Sequence, residues 1–437
     1  WDASTEGSPD KVTEYQSDDG GPNLKLKVTS DNVELKAKVR DDNDAVLSLD
    51  FDINRWVRSE TEYTSLLHRL GYRDVAHFAA ATGHARLTRH TDLGSGQPYD
   101  IDYHRLDHRT EFQPRGMDHL TFAVGFSHQE REGLRQQTNI SHCDSCHVIN
   151  QARAVDESTT DARLEAQIAW DGGQVTASIV NREFSDDATP TTLLYDDALH
   201  PELRAPVFDN RLQYDSAEGP QVVGRPPDID KEILEIDSSF DDVGGFAINA
   251  GGTWATTENR LTGNEANYSG AVVNAARLFN NWNLAFRARS YSLDNDDYFV
   301  DTVERLGIAG PQAGLTYRQI YGFDPDFTRQ SALNRDVLES NLDLSRRLSG
   351  KKGRVKLSWD YMTVDRDHLE VAPGETKSIT NVLSASWRAR PKKGWKTQLG
   401  FKHGETDKPF MHVDGAYSTL TSGSSPNPFL PQAAQYY

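Results

Sequence analysis

The sequence predicts an all-β chain, folded as a large antiparallel transmembrane β-barrel of the outer-membrane kind. Three observations predict it. Apolar and polar residues alternate with period two through most of the chain, tryptophans collect at the ends of the alternating segments, and short turns alternate with long polar connections. Composition agrees. Apolar residues make up 36% and charged residues 26% of 437 residues, too polar for one dense soluble core of this size but ordinary for a structure with a watery interior. The net charge of −19 argues against nucleic-acid binding through phosphate neutralisation and against a basic membrane-surface anchor. No run approaches the roughly 18 consecutive apolar residues of a transmembrane helix. The chain opens on WDAS without a basic, apolar leader, so for an exported protein the signal peptide would have been removed or not included in this sequence.

The strands can be read in order. In AVLSLDFDI one face carries Leu47, Leu49, Phe51 and Ile53, and the other Ser48, Asp50 and Asp52. HLTFAVGF presents Leu120, Phe122, Val124 and Phe126. RLEAQIAW presents Leu164, Ala166, Ile168 and Trp170; Asp171, Gly172 and Gly173 then turn the chain into QVTASIV, a hairpin. GFAINAGGTW and WNLAFRARSY follow, and RVKLSWDY, VLSASWRAR and WKTQLGF continue the pattern. Residues 60–72, ETEYTSLLHRLGY, are the one segment whose spacing favours a helix. The turns at 171–173, 280–281, 349–353 and 391–394 are short, whereas 134–160, 185–243, 293–335 and 364–378 read as long polar connections.

A soluble sandwich or propeller could use the same strands. Charged residues opposite the apolar faces, including Lys356, Asp360, Arg388, Arg390, Lys396 and Lys402, suit either a wet lumen or an outer surface. The tryptophans discriminate. Trp170, Trp282 and Trp395 adjoin turns, where a bilayer interface holds amphipathic rings, whereas a sandwich core would bury them mid-strand. The loop asymmetry also favours the barrel, with the short turns periplasmic. No domain boundary appears, so residues 1–437 form a single β-barrel domain, and the proline- and serine-rich stretch from Gly415 reads as a loop short of the barrel's closing strand. The acidic runs Asp41 to Asp44 and Asp294 to Asp297 lack calcium-loop spacing and read as solvated turns.

Both cysteines lie in NISHCDSCHV, within the 134–160 connection. Cys143 and Cys146 followed by His147 permit three chemistries. A disulfide between the cysteines is allowed in an oxidising compartment and needs no histidine. Zinc would require a partner motif, and there is no second CxxC. Covalent haem c uses every residue of the motif: two thiols for the thioethers and the adjoining imidazole of His147 as the metal ligand. The motif therefore predicts one haem c held by Cys143, Cys146 and His147. His128 and His200 are candidates for the opposite axial position; Met117, Met362 and Met411 are weaker ones.

Two stretches, VLESNLDLSRRLSGKKGRVKLSWDYMTVDRDH and ETKSITNVLSASWRARPKKGWKTQLGF, resemble the MtrB/PioB-type porins, the outer-membrane barrels that accompany multihaem c-type cytochromes. The resemblance is one of texture, running from about residue 24 to 415. It implies a barrel of more than twenty strands in outer-membrane lipid. Such a barrel sheathes a periplasmic multihaem c-type cytochrome and moves electrons across the outer membrane, with an extracellular multihaem cytochrome as a further partner. This chain departs from the pattern in being shorter and in carrying its own CDSCH. The family's sheaths are haem-free, so Cys143, Cys146 and His147 rest on the motif alone. Electron hopping crosses only short gaps, so a bilayer core about 30 Å thick needs a chain of cofactors inside an insulating tube. The rivals are a diffusion porin or receptor with a loop disulfide, and a soluble periplasmic monohaem cytochrome with a β domain.

Overall fold

The computed structural model describes residues 23–41, 44–74, 89–141, 147–196, 219–300, 334–348, 353–366 and 377–408, with a few positions between 315 and 329. Its strands are β1 (Leu24–Thr29), β2 (Val33–Asp41), β3 (Asp44–Ile53), β4 (Val57–Arg69), β5 (Arg89–Asp92), β6 (Asp100–Phe112) and β7 (Leu120–Ile140). They continue with β8 (His147–Trp170), β9 (Gly173–Asp186), β10 (Thr192–Leu193), β11 (Gln221–Val222), β12 (Ile229–Val243), β13 (Phe246–Asn259) and β14 (Glu265–Phe279). The last are β15 (Trp282–Asn295), β16 (Tyr298–Val300), β17 (Phe327–Arg329), β18 (Arg335–Arg347), β19 (Arg354–Asp365), β20 (Lys377–Ala389) and β21 (Thr397–Asp407).

Seventeen of these strands form one sheet. It is an up-and-down antiparallel meander from β1 to β21, interrupted only where β5 joins β8 in parallel and where β10–β11 and β16–β17 form separate hairpins. Among the described residues β1 and β21 do not pair with each other, and the stretch after Lys408 that reads as a loop lies outside them.

Register explains why so polar a sequence holds one sheet. Leu47 pairs with Tyr63, Tyr63 with Leu106, Phe126 with Ala162, Leu164 with Ile179, Ile179 with Leu234 and Leu234 with Trp254. On the far side Phe286 pairs with Leu342, Leu342 with Trp359, Trp359 with Leu383 and Ala385 with Phe401. One face is therefore apolar across the whole meander. Nothing among the described residues covers this belt: Leu164 is 61% exposed, Ile179 56% and Leu383 54%. The other face carries ion pairs, such as Arg109 with Glu165 at 2.8 Å and Arg163 with Glu235 at 3.5 Å. An uncovered apolar face behind a charged one is the wall of a membrane β-barrel, the only strand architecture that satisfies every backbone group in lipid. Among the described residues no helix is long and apolar enough to cross a membrane.

The turns obey the predicted asymmetry. Asp171 and Gly172 close β8 onto β9, and Asn280 and Asn281, with φ of 45° and 65°, close β14 onto β15. At this end the apolar face is edged with aromatics, several under a guanidinium: Arg115 over Trp56, Arg277 over Phe246 and Arg346 over Trp282. That is an interfacial girdle. The long connections fall at the opposite end.

Three sequence expectations fail, one of them the 185–243 connection, whose residues 229–243 are strand β12 paired with β9 and β13. Residues 60–72 are not helical: Val57–Arg69 is β4, whose Thr61, Tyr63 and Ser65 sit in the continuous apolar-side row while Glu60 and Glu62 face the other way. Paired neighbours outweighed a weak helical spacing. Nor is 134–160 a loop, because β7 runs for 21 residues and β8 for 24, leaving only 141–146 between them. At about 3.3 Å per residue β8 is roughly 80 Å long. Its apolar-belt portion, from about Ala162 to Trp170, is what a bilayer requires. The remainder projects beyond the membrane.

Leu164→Arg in the middle of the belt is expected to destabilise the folded barrel by about 2–4 kcal/mol. Arg163→Leu on the opposite face should cost much less. Folding titrations into lipid vesicles measure both.

Candidate functional site at the tip of the projecting hairpin

The principal buried cluster among the described residues lies at the far end of β7 and β8, away from the membrane belt. Ile101, Val148, Ile149 and Val155 are nearly inaccessible there, and Asn150 is 0% exposed. Packing on both faces explains this. Strand β5 extends the sheet beside β8, residues 70–74 and 93–99 cover one face, and residues 186–196 with 219–228 cover the other. Strands wetted on both sides would not bury anything.

On the face that continues the apolar belt, Asn150 ties the covering segments together. Its side-chain amide donates to the Tyr72 hydroxyl and to Asp92 Oδ1, both at 3.3 Å, and its Oδ1 accepts from Gln136 Nε2 at 2.9 Å. The Tyr72 hydroxyl donates to Asp92 Oδ2 in a very short contact. Asp92 Oδ1 accepts the Gly94 amide at 3.0 Å, and Tyr99, stacked on Tyr72 at 5.5 Å, donates to the Gly94 carbonyl at 2.7 Å. Burial, reinforced by the Asp92 carboxylate, pushes the Tyr72 hydroxyl up to about 12. For Asp92 burial acts upward, yet the hydrogen bonds from Tyr72, the Gly94 amide and Asn150 outweigh it and hold the carboxyl below its ordinary value.

On the interior face stands His147, the first residue of β8 and 5% exposed. Its Nδ1 lies 2.6 Å from Asp196 Oδ2 and its Nε2 2.8 Å from the Thr91 hydroxyl. The Asp196 amide donates to Ser141 Oγ at 2.7 Å, which fixes the carboxylate beside the ring. A carboxylate on Nδ1 is the arrangement that sets the tautomer and basicity of a histidine ligating through Nε2. The arrangement therefore fits an axial haem ligand, provided the Thr91 hydroxyl turns away, a cost of about 1 kcal/mol for one neutral hydrogen bond. Cys143 and Cys146 lie outside the described residues, as do His142, His200 and Met411.

The structure separates the described candidates His128, Met117 and Met362 from His147. His128 pairs with Thr160, on the opposite sheet face and 13 positions along β8, about 43 Å away. It is engaged by the Thr160 hydroxyl at 2.8 Å and by Glu130 at 3.0 Å. His128 is thus not the opposite axial ligand. Met362, on β19, and Met117, in the β6–β7 turn, belong to other parts of the sheet. Among the described residues no group of three or more His, Cys, Asp or Glu side chains could hold a metal ion. Sequence reasoning did not find Thr91, Asn150 or Asp196. Only for Asp92 was there a signal, the TDLGSG stretch, where an Asp two residues before a Gly marks an Asx turn.

Further down the interior face the covering segment buries Arg153, which reaches Asp186 at 3.1 Å and Glu157 at 3.8 Å, while Arg131 meets Glu157 at 2.9 Å. Gly224, at φ 68°, lies so close to the Gln137 side-chain amide that any Cβ there would overlap it. Glycine is what lets this segment lie flat against β7.

No protein-family model and no curated protein matches this chain. Solved structures that align with it include the siderophore receptor PiuA from Acinetobacter baumannii, at 9% identity over 87% of this chain and 58% of that one, TM-score 0.41. The unliganded ferric citrate transporter FecA aligns at 13% identity over 88% and 56%, TM-score 0.38. The closed form of the ferric-catecholate import receptor Fiu from K12 E. coli aligns at 10% over 88% and 62%, TM-score 0.42. The chain spans about three fifths of the length of these structures.

The tip cluster should be stable over a bounded pH range. Tyr72, raised in the fold, contributes fully below its ordinary value of 10, and that contribution is lost as pH rises through about 12. Asp92, lowered in the fold, contributes above its ordinary value of 3.8 and loses that as pH falls through its depressed one. Tyr72→Phe should abolish the alkaline limb of amide-exchange protection at 147–152. Asn150→Ala, which strands several buried partners, should lower local stability there by about 1–3 kcal/mol at neutral pH.

Proposed function

We propose that this chain is the wall of an outer-membrane β-barrel that serves an electron conduit, carrying one covalent haem c at Cys143, Cys146 and His147. The observation that carries the reading is His147: a buried imidazole directly after the CDSC run, on the interior side of the sheet, with Asp196 holding Nδ1. The haem would supply one-electron redox chemistry at this position. Asp196 would keep Nδ1 protonated and Nε2 free to ligate, and the covering segments would exclude water from the ring.

The membrane wall supports the wider half of the proposal. Barrels of about 16 strands or more are too wide for side chains to fill, so they enclose water, a plug or another protein. An interior lined with ion pairs suits a docked periplasmic multihaem cytochrome, as the resemblance to the MtrB/PioB-type porins implies. The tip stands roughly 50 Å along β8 from the belt. One haem there would extend a luminal chain outward rather than span the membrane, close to where an extracellular cytochrome would dock.

A second reading has an observation of its own. Both nitrogens of His147 already have protein partners, which suits a structural histidine beside a Cys143–Cys146 disulfide in an ordinary porin or import receptor. Peroxidase staining of the denatured chain separates the two, since thioether-bound haem stays with the polypeptide. The conduit reading expects a stained band that Cys143→Ala with Cys146→Ala abolishes; an unstained band whose two thiols become reactive only after reduction leaves the porin or receptor. In a stained protein, Asp196→Asn should raise the haem midpoint potential by weakening the electron donation of the imidazole.

A further inference from the structure

The interior face between β15 and β21 carries, at the short-turn end, cations that form no ion pair among the described residues; Asp343, already paired with Lys356, acts on Arg354 only through its field. In the register of β18, β19 and β20, Arg347 lies opposite Arg354 and Arg354 opposite Arg388. Three guanidinium side chains thus stand on three adjacent strands, at about 4.8 Å per step. Arg390 and Lys396, flanking the β20–β21 turn, join them around a groove of about 830 Å³. Gly353, at φ 90°, brings this array together. Its position lies against the Arg388 carbonyl so closely that any Cβ would overlap it, and this close approach sets Arg354 directly beside β20.

What sets the group apart is the lack of acids. Several arginines elsewhere on the interior face are paired with acids: Arg105 with Asp107, Arg109 with Glu165, Arg131 with Glu157 and Arg182 with Asp161. One row deeper, Lys356 is neutralised by Asp343 at 2.9 Å. Among the described residues the one side-chain hydrogen bond in the groove goes to a neutral acceptor, from Arg354 Nη2 to Ser345 Oγ at 2.7 Å, and no carboxylate pairs with any of the five cations. Like charges directly opposite each other on neighbouring strands destabilise a sheet. A chain with 66 acidic against 47 basic residues does not lack carboxylates to place there.

We propose that this groove is a binding site for a multivalent oxyanion of the phosphate class, entering from the short-turn mouth of the barrel. The planar guanidinium fork matches phosphate oxygens bidentately, and a polyanion seated across the row would pair with several forks at once, turning a repulsive array into a cohesive one. The proposal is independent of the haem, because it rests on β18–β20 and the turns beside them.

The full chain in mild detergent tests it through thermal unfolding and calorimetric titration with inorganic phosphate and pyrophosphate, against chloride at matched ionic strength. The unmodified protein should gain several degrees from pyrophosphate and fewer from phosphate. Arg354→Gln with Arg388→Gln should unfold at a higher temperature than the unmodified protein in dilute chloride, since self-repulsion is relieved, and should lose the pyrophosphate response. Lys356→Gln, the same kind of charge change at a paired lysine, should keep that response. Should the double variant fail to fold, Arg388→Lys keeps the charge but loses the fork and should weaken pyrophosphate binding roughly tenfold. Equal responses to pyrophosphate and to matched chloride would overturn the proposal, as would an unchanged response in the arginine variants. So would a site that answers to a carboxylate-rich protein and to neither phosphate.

Discussion

The constraint on which everything else rests is that a backbone in hydrocarbon must satisfy all its own hydrogen bonds. A chain without a long apolar helix can meet it only with a continuous ladder of strands. The ladder from β1 to β21 keeps one parity through the belt, its register shifts falling at strand ends near Asp41 and Val243: Leu26 and Phe401, near its two ends, belong to the same lipid-side row. A slip of one residue anywhere would turn Leu164 inward and Arg163 toward lipid. The high charged fraction and the uncovered apolar face are therefore two consequences of one pairing scheme.

Above the membrane the same two strands obey different rules. Once β7 and β8 leave the belt they have water on both sides and must find cover or fray. Residues 70–74, 93–99, 186–196 and 219–228 supply it, and the outcome is a small water-soluble core built on a membrane strand. Its interior is polar: Asn150, His147, Arg153, Glu157 and Asp186 are all buried, and each is met by a hydrogen bond or an opposite charge. Polar groups buried in this manner fix one arrangement of the covering segments, because any shift would leave a donor or carboxylate unmatched. The geometry around His147 is defined for that reason, although the segments holding it come from four places in the chain.

Charge on the interior is also distributed unevenly. The wall from β3 to β12 is dense in carboxylates compensated by arginine, while the short-turn end of β18–β20 holds cations without acids. A wide pore with unlike walls focuses a field across itself and sorts solutes and partners by charge. An occupant of such a bore would be oriented by its own charge distribution before it made any specific contact.

Period two was legible because lipid enforces it at every residue of the belt. Leu47, Leu164, Trp359 and Leu383 could therefore be assigned to one face without coordinates, and the Asp171–Gly172 and Asn280–Asn281 turns announced themselves by residue type. Where lipid no longer enforces the rule, the sequence lost its voice: VINQARAV looks like a polar connection because its strand is buried by segments far away in the chain, and ETEYTSLLHRL looks helical because only its neighbours reveal its pairing. The CDSCH run pointed to haem c from five adjacent residues, since covalent attachment and ligation of that kind would be local. Only the tertiary structure decided that Asp196 and Thr91 grip His147, that His128 faces away from it, and that Arg347, Arg354 and Arg388 form one row, because register, which is long-range, sets which distant side chains become neighbours.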